Sequence, residues 1–95
     1  MPEKGRYIVV YDIEDDRERL RVGKLLEGFG RRVQKSVFEC PLTRSSRTAL
    51  EDKLEKLTII TGFVLIYRLN DQARRSAAGK VPADLAATDN VAFVV

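Results

Sequence analysis

The residues that most constrain this chain are Tyr7-Ile8-Val9-Val10-Tyr11, a run that is β-branched or aromatic throughout. Such residues favour extended backbone, and a run apolar on both faces belongs to a central strand covered on at least one side. A second run of this kind, Phe63-Val64-Leu65-Ile66-Tyr67, follows Gly62. A third, Val91-Ala92-Phe93-Val94-Val95, closes the sequence and needs a sheet edge to pair with, in its own chain or in a second subunit. Between the first two runs the apolar period becomes that of a helix. Asp15 or Asp16 can cap it, and Asp15 with Glu18 has capping-box spacing. Its core face is Val22, Leu25, Leu26 and Phe29, with Gly28 and Gly30 at its end. Ser45 or Ser46 can cap a second helix whose core face is Leu50, Leu54 and Leu57. Val33 to Leu42 reads as extended, either one long strand or a bent pair, with Pro41 marking an edge or an end.

Strand, helix, strand, helix, strand is the order of two crossover units on one face of a sheet. It predicts an α+β, ferredoxin-like sandwich, an antiparallel sheet with two helices on one face. The expected organisation is one domain over 1–95, with a core at 1–78, a loop at 79–90 and a C-terminal strand at 91–95. Gln72 to Ala78 is compatible with an edge strand or a short helix. A chain of this length buries only about 60–65% of its unfolded surface, so pairing with a second copy would help it. No apolar run approaches the roughly 20 residues that span a bilayer. The start, Met1 to Arg6, lacks the apolar region of a signal peptide. The expectation is therefore a cytoplasmic protein that does not enter membranes.

The chain has no histidine and one cysteine, Cys40. That excludes histidine bases, Ser-His-Asp and Cys-His nucleophile activation, histidine metal ligands and a disulfide framework within one chain. Chemistry must then rest on carboxylates, hydroxyls, amines or a metal ion. Asp15 and Asp16 are accounted for by helix capping and Glu14 by solvent, but Asp12 falls on the first strand. Alternation puts it on the face of Ile8 and Val10, and a carboxylate on a buried strand face requires a partner or an ion. At the end of a central strand beside a helix N-terminus it is well placed for Mg²⁺, which often binds through one or two carboxylates plus waters and phosphates. One Asp per chain is a poor site. Two chains related by a two-fold axis would bring two, and a shared divalent ion or proton would relieve their repulsion.

Charge is uneven. The whole chain carries +3, but Arg17 to Arg47 holds nine basic residues against three acidic ones, a local excess of +6. Arginine suits bidentate phosphate contact. A dimer using six to ten such contacts should lose roughly 10³–10⁵ in affinity between 50 and 200 mM salt. Phe38 is the only aromatic between Phe29 and Phe63. The segment thus lacks a base-stacking strand, which favours backbone and shape contacts with a duplex. Phe38 reads first as core. Ser36, on the same alternation, is the only hydroxyl within that strand and has no histidine to activate it, so a structural hydrogen bond is its expected role. Tyr7 and Tyr11 read as packing residues, and Cys40 as a small buried apolar one.

Two segments, YIVVYDIEDDRERLRV over 7–22 and GRRVQKSVFE over 30–39, together resemble the small CRISPR-associated protein Two family, the dimeric subunit of spacer-acquisition machinery. The later helix, the FVLIYRL strand and the last strand follow the family's order, while the alanine-rich stretch after Asn70 departs from it. The resemblance implies a ferredoxin-like homodimer whose C-terminal strand adds to the partner's sheet. It also implies cleavage of RNA or double-stranded DNA with Mg²⁺ or Mn²⁺, and a CRISPR-associated integrase as partner. It assigns the metal to Asp12 and catalytic positions to Tyr11, Ser36 and Phe38. Nucleic-acid contacts fall on Arg19, Arg21 and Arg32, which Arg17 and Arg31 of the same basic segment would extend. Rival expectations are a non-catalytic DNA-binding scaffold of the integrase complex and a toxin-type ribonuclease of the related virulence-associated group. A small-molecule sensor on this fold is disfavoured, because the first strand-to-helix turn is acidic rather than glycine-rich.

Overall fold

Alternation along the first strand decides the architecture. In β1 (Gly5–Ile13) the side chains of Tyr7, Val9, Tyr11 and Ile13 are buried, while Asp12 is exposed and Ile8 and Val10 are half-buried. The computed structural model describes residues 3–83 and 91–93. After β1 come α1 (Asp16–Glu27), β2 (Arg31–Gln34), β3 (Val37–Leu42), α2 (Arg44–Lys56) and β4 (Gly62–Leu69). The four strands form one antiparallel sheet in the order β2-β3-β1-β4, the predicted ferredoxin-like arrangement with β1 central. The core joins Val9, Phe38 and Cys40 of the sheet to Val22 and Leu26 of α1 and to Leu50 of α2. Leu25, Phe29 and Leu57, also expected in the core, pack at its margin. Each fully buried side chain of this size contributes about 1.5–3 kcal/mol relative to exposure. No described helix is long and apolar enough to cross a membrane.

Register places the other face of the sheet without cover. Tyr67, Leu65 and Phe63 stand opposite Ile8, Val10 and Asp12, and Glu39 and Val37 flank Ile8 and Val10 on the β3 side. Phe63, Leu65 and Tyr67 remain 51%, 43% and 53% exposed. Asp12 was expected on a buried face. It lies on this open one, because both helices pack against the Tyr7–Tyr11 side.

The extended stretch is the bent pair: β2 and β3 form a hairpin turning at Lys35 and Ser36. Ser36 is therefore a turn residue rather than a strand residue. Its carbonyl accepts the Tyr11 N–H at 3.0 Å and its own N–H donates to Gln34 Oε1 at 3.2 Å. The cap of α2 also differs from expectation. Thr43, not Ser45 or Ser46, is the N-cap, and Ser46 closes a reciprocal capping box with it at 2.8 and 3.1 Å. A serine in the position usually held by Glu or Gln disguises that motif.

Beyond β4 the chain forms β5 (Arg75–Ala77), which pairs in parallel with β6 (Val91–Phe93) as a separate two-stranded sheet. Gln72 to Ala78 thus contains a short strand rather than a helix. The expected C-terminal strand pairs within its own chain here. The expected loop and the end of that strand lie partly outside the described residues. Two contacts tie this segment to the main sheet: Arg75 pairs with Glu39, and Arg6 Nη2 donates to the Ala73 carbonyl at 3.0 Å.

Candidate functional site

The C-terminal end of β1 is held by a compact hydrogen-bonded junction. Asp15 caps α1 by accepting the Glu18 N–H at 2.9 Å. The return half of the capping box is relayed. Asp15 N–H donates to Thr61 Oγ1 at 2.9 Å, and that hydroxyl donates to Glu18 Oε1 at 3.0 Å. Glu18 Oε1 also accepts the N–H groups of Ile60 and Thr61 at 3.0 and 2.9 Å. Glu18 is the one buried charged residue among those described. The Thr61 N–H above all, opposed by burial, holds its carboxyl below the usual glutamate value of 4.5. A depressed carboxyl contributes stability that is fully present above its unfolded pKa and is lost as pH falls through the folded one. Glu18→Ala should therefore lower Tm by several degrees at pH 7. The gap to the wild type should shrink below about pH 4.5, as thermal melts over a pH series would show.

Next to this junction, Gly62 begins β4 against the Asp12 and Ile13 backbone. A Cβ there would lie 1.9 Å from the Asp12 carbonyl oxygen. Arg19 folds back onto the same turn. Its Nη1 donates to the carbonyls of Ile13 and Glu14 at 2.9 and 3.2 Å, and its Nη2 pairs with Asp16. The β1–α1 turn is therefore fixed from two sides.

A second group lies where β1 meets the β2–β3 turn. Tyr11 stacks on Phe38 with ring centroids 6.4 Å apart. Its hydroxyl donates to the Lys35 carbonyl at 2.9 Å. The Arg32 guanidinium sits 4.7 Å over the Phe38 ring, donates to the same carbonyl and lies 3.4 Å from the Tyr11 hydroxyl. Gly23 makes room for it, since a Cβ there would meet Arg32 Nη2 at 2.9 Å. An open depression of about 630 Å³ results. Arg19, Lys24, Arg32 and Lys35 line it against the carboxylates of Asp12 and Glu27. Four cations facing two acids make a surface suited to phosphate groups.

Over residues 5–77 the sequence matches the family described as CRISPR associated protein Cas2. The chain belongs to the Cas2 family. A Synechocystis relative named CRISPR-associated endoribonuclease Cas2 3 is 51% identical over 51 residues, covering 54% of this chain and 55% of the relative. The chain thus matches about half the length of that curated relative. A solved structure of a hypothetical protein from Thermus thermophilus superposes with a TM-score of 0.73 at 34% identity, covering 83% of this chain and 95% of the other. A chain of a partial Cas6-RT-Cas1–Cas2 complex gives a TM-score of 0.62 at 30% identity, covering 70% and 80%.

In this Cas2-family chain the expected site residues separate into distinct surfaces. Asp12, Tyr11, Arg19, Arg32 and Ser36 converge on the depression. Phe38, expected among the catalytic positions, is fully buried beneath Tyr11 and Arg32 and cannot touch a ligand directly. Arg17 and Arg21 are exposed on α1 outside the depression. Arg31 lies on the opposite side of β2 from Arg32, near Glu39 at 3.6 Å, because consecutive strand residues point to opposite faces. Lys24 and Lys35 belong to the depression but not to the expected set. Their signal was present in the basic segment, without anything to separate them from its other members. No three His, Cys, Asp or Glu residues converge among those described. Of the two carboxylates that line the depression, Glu27 lies 3.7 Å from Arg32, and Asp12 fits a cation only with waters, phosphates or a second chain supplying further ligands. Cys40 is fully buried, and burial above all pushes its thiol up to about 11, so it stays protonated.

Proposed function

We propose that this chain is a homodimeric nucleic-acid-binding subunit of CRISPR spacer acquisition that hydrolyses phosphodiester bonds of RNA or double-stranded DNA with Mg²⁺ or Mn²⁺. The observation that carries the reading is the position of Asp12. It stands exposed at the end of β1, between an uncovered apolar sheet face and a depression lined by four cationic side chains. The endoribonuclease name of the Synechocystis relative supports the activity.

The second copy covers the open face in this reading. Phe63, Leu65 and Tyr67 form an apolar row beside Ile8 and Val10, and two such faces brought together about a two-fold axis place one Asp12 from each chain near the seam. Leu65→Asp combined with Tyr67→Asp should yield a monomer in sedimentation equilibrium. Each substitution appears twice in a two-fold interface, so about 3 kcal/mol or more is lost, roughly a hundredfold in Kd. A dimer of unchanged affinity would exclude this face as the interface.

A divalent ion held by Asp12 would supply Lewis-acid polarisation and a water of lowered pKa. The protein's own groups do the rest. Asp12 would hold that ion. Arg19 and Arg32, each fixed to backbone carbonyls, bind phosphate oxygens and offset the charge that develops on them. Lys24 and Lys35 add positive charge at the rim, and Tyr11 keeps the β2–β3 turn in place through the Lys35 carbonyl.

The test is incubation of RNA, single-stranded DNA and duplex DNA with wild type and Asp12→Ala, with divalent ions or with EDTA. Cleavage by the wild type alone, suppressed by EDTA, is expected. No cleavage of any substrate across pH would end the nuclease reading. The likeness to a chain of a Cas1–Cas2 complex favours a second reading, a DNA-binding scaffold that bridges integrase copies. Spacer acquisition that persists with Asp12→Ala would select it.

A further inference from the structure

A second basic recess lies at the other end of β1. Arg44 and Arg47 from the first turns of α2 and Arg68 from β4 converge there beside Gly5 and Tyr7, around a space of about 240 Å³. Glu3 is its single acidic lining residue. The three cations are poorly neutralised. No ion pair joins Arg44 or Arg68 to a described carboxylate. Arg47 Nε is sealed from solvent without a hydrogen-bond partner, and Glu51 Oε1 stands 4.0 Å off, beyond hydrogen-bond reach. Like charges gathered in this way repel, and a buried donor left unmade costs free energy. The repulsion is removed by an anion with several acceptor oxygens.

We infer that this recess is a second binding site for backbone phosphates of the nucleic acid, separate from the Asp12 depression. The inference rests on the nucleic-acid reading above and extends its footprint. Position supports it. Arg68 pairs in register with Tyr7, whose side chain shares the helix-bearing face with Tyr11. The recess is therefore off the open face assigned to the second copy, and it stays accessible in the dimer. Seven residues of β1 separate Gly5 from Asp12, about 23 Å at strand rise, or about seven nucleotides of a duplex strand. The two basic sites thus lie at opposite ends of β1. Arg44 and Arg47 end the basic segment read from the sequence, and only the fold brings Arg68 to them.

The experiment is fluorescence anisotropy with a labelled 20-base-pair DNA duplex and a 20-nucleotide RNA, from 50 to 200 mM NaCl. The proteins are wild type, Arg44→Gln/Arg68→Gln and Arg44→Lys/Arg68→Lys, with thermal melts in parallel. For the duplex, the glutamine pair should lower the salt slope by about 1.8 per engaged recess and weaken binding about tenfold. The lysine pair should restore most of the slope, because it keeps the charge. Tm of the glutamine pair should hold or rise as repulsion is relieved. A glutamine pair with unchanged slope on both ligands, or with lowered Tm and no change in binding, overturns the inference while leaving the nucleic-acid reading intact. A wild type that binds neither ligand overturns that reading and this inference together.

Discussion

Asp12→Ala is expected to cut divalent-dependent cleavage by more than about a hundredfold, since loss of groups that merely orient metal ligands already costs 10–100-fold. The fold should not notice. Asp12 is exposed on the open face, and substitutions at such positions stay within about 0.5 kcal/mol. An activity assay beside a thermal melt separates the two effects: turnover collapses and Tm holds. Asp12→Asn should behave alike in cleavage, since an amide keeps the shape but not the charge. Equal cleavage by either variant and the wild type would remove Asp12 from the chemistry.

Gly62→Ala should produce the largest loss of stability of any single methyl addition to the main sheet. The added Cβ would meet the Asp12 carbonyl at 1.9 Å and the Ile13 Cα at 2.7 Å, both backbone atoms that no side-chain rotation can move aside. β1 and β4 would have to separate where Asp12 pairs with Phe63. Overpacking of this kind costs about 1–3 kcal/mol and sometimes more. Against the roughly 5–14 kcal/mol expected for a domain of this length, 3 kcal/mol is a large share. A fall in Tm of about 10–20 °C is expected, at 4–8 °C per kcal/mol. Because Gly62 sets the backbone beside Asp12, the variant should also lose cleavage below its melting temperature. Gly62→Ala with wild-type Tm would show that the two strands can part without cost.

The main sheet and both helices were legible because their apolar periods are unmixed. Tyr7 to Tyr11 and Phe63 to Tyr67 are unbroken apolar runs rich in β-branched and aromatic residues, and Val22, Leu26, Leu50 and Leu54 recur as helix stripes. Less visible were features that depend on which face of the sheet the helices choose. Asp12 has the same alternation whether its face is covered or open, so its exposure could not be read from spacing. Ser36 depended on where the extended stretch bends, and the bend lies at a Lys-Ser pair with no glycine or proline to mark it. The capping box of Asp15 and Glu18 was half right. Glu18 turns to Thr61, 43 residues away, a tie that no local motif announces. Within the site, Asp12, Tyr11, Arg19 and Arg32 were legible from the motifs that carry the family resemblance. Arg31 came from the basic segment and Phe38 from the same resemblance, whereas strand geometry sends Arg31 to the far side of β2 and Phe38 into the core.

In the proposed dimer one chain offers half a site and a second copy completes it. Mixing wild type with Asp12→Ala, after the chains have exchanged, tests this most directly. If both Asp12 carboxylates are required, cleavage falls with the square of the wild-type fraction, to about one quarter in an equal mixture of two-fold dimers. A linear fall, to about one half, would show that a single chain carries the complete site and would contradict the account.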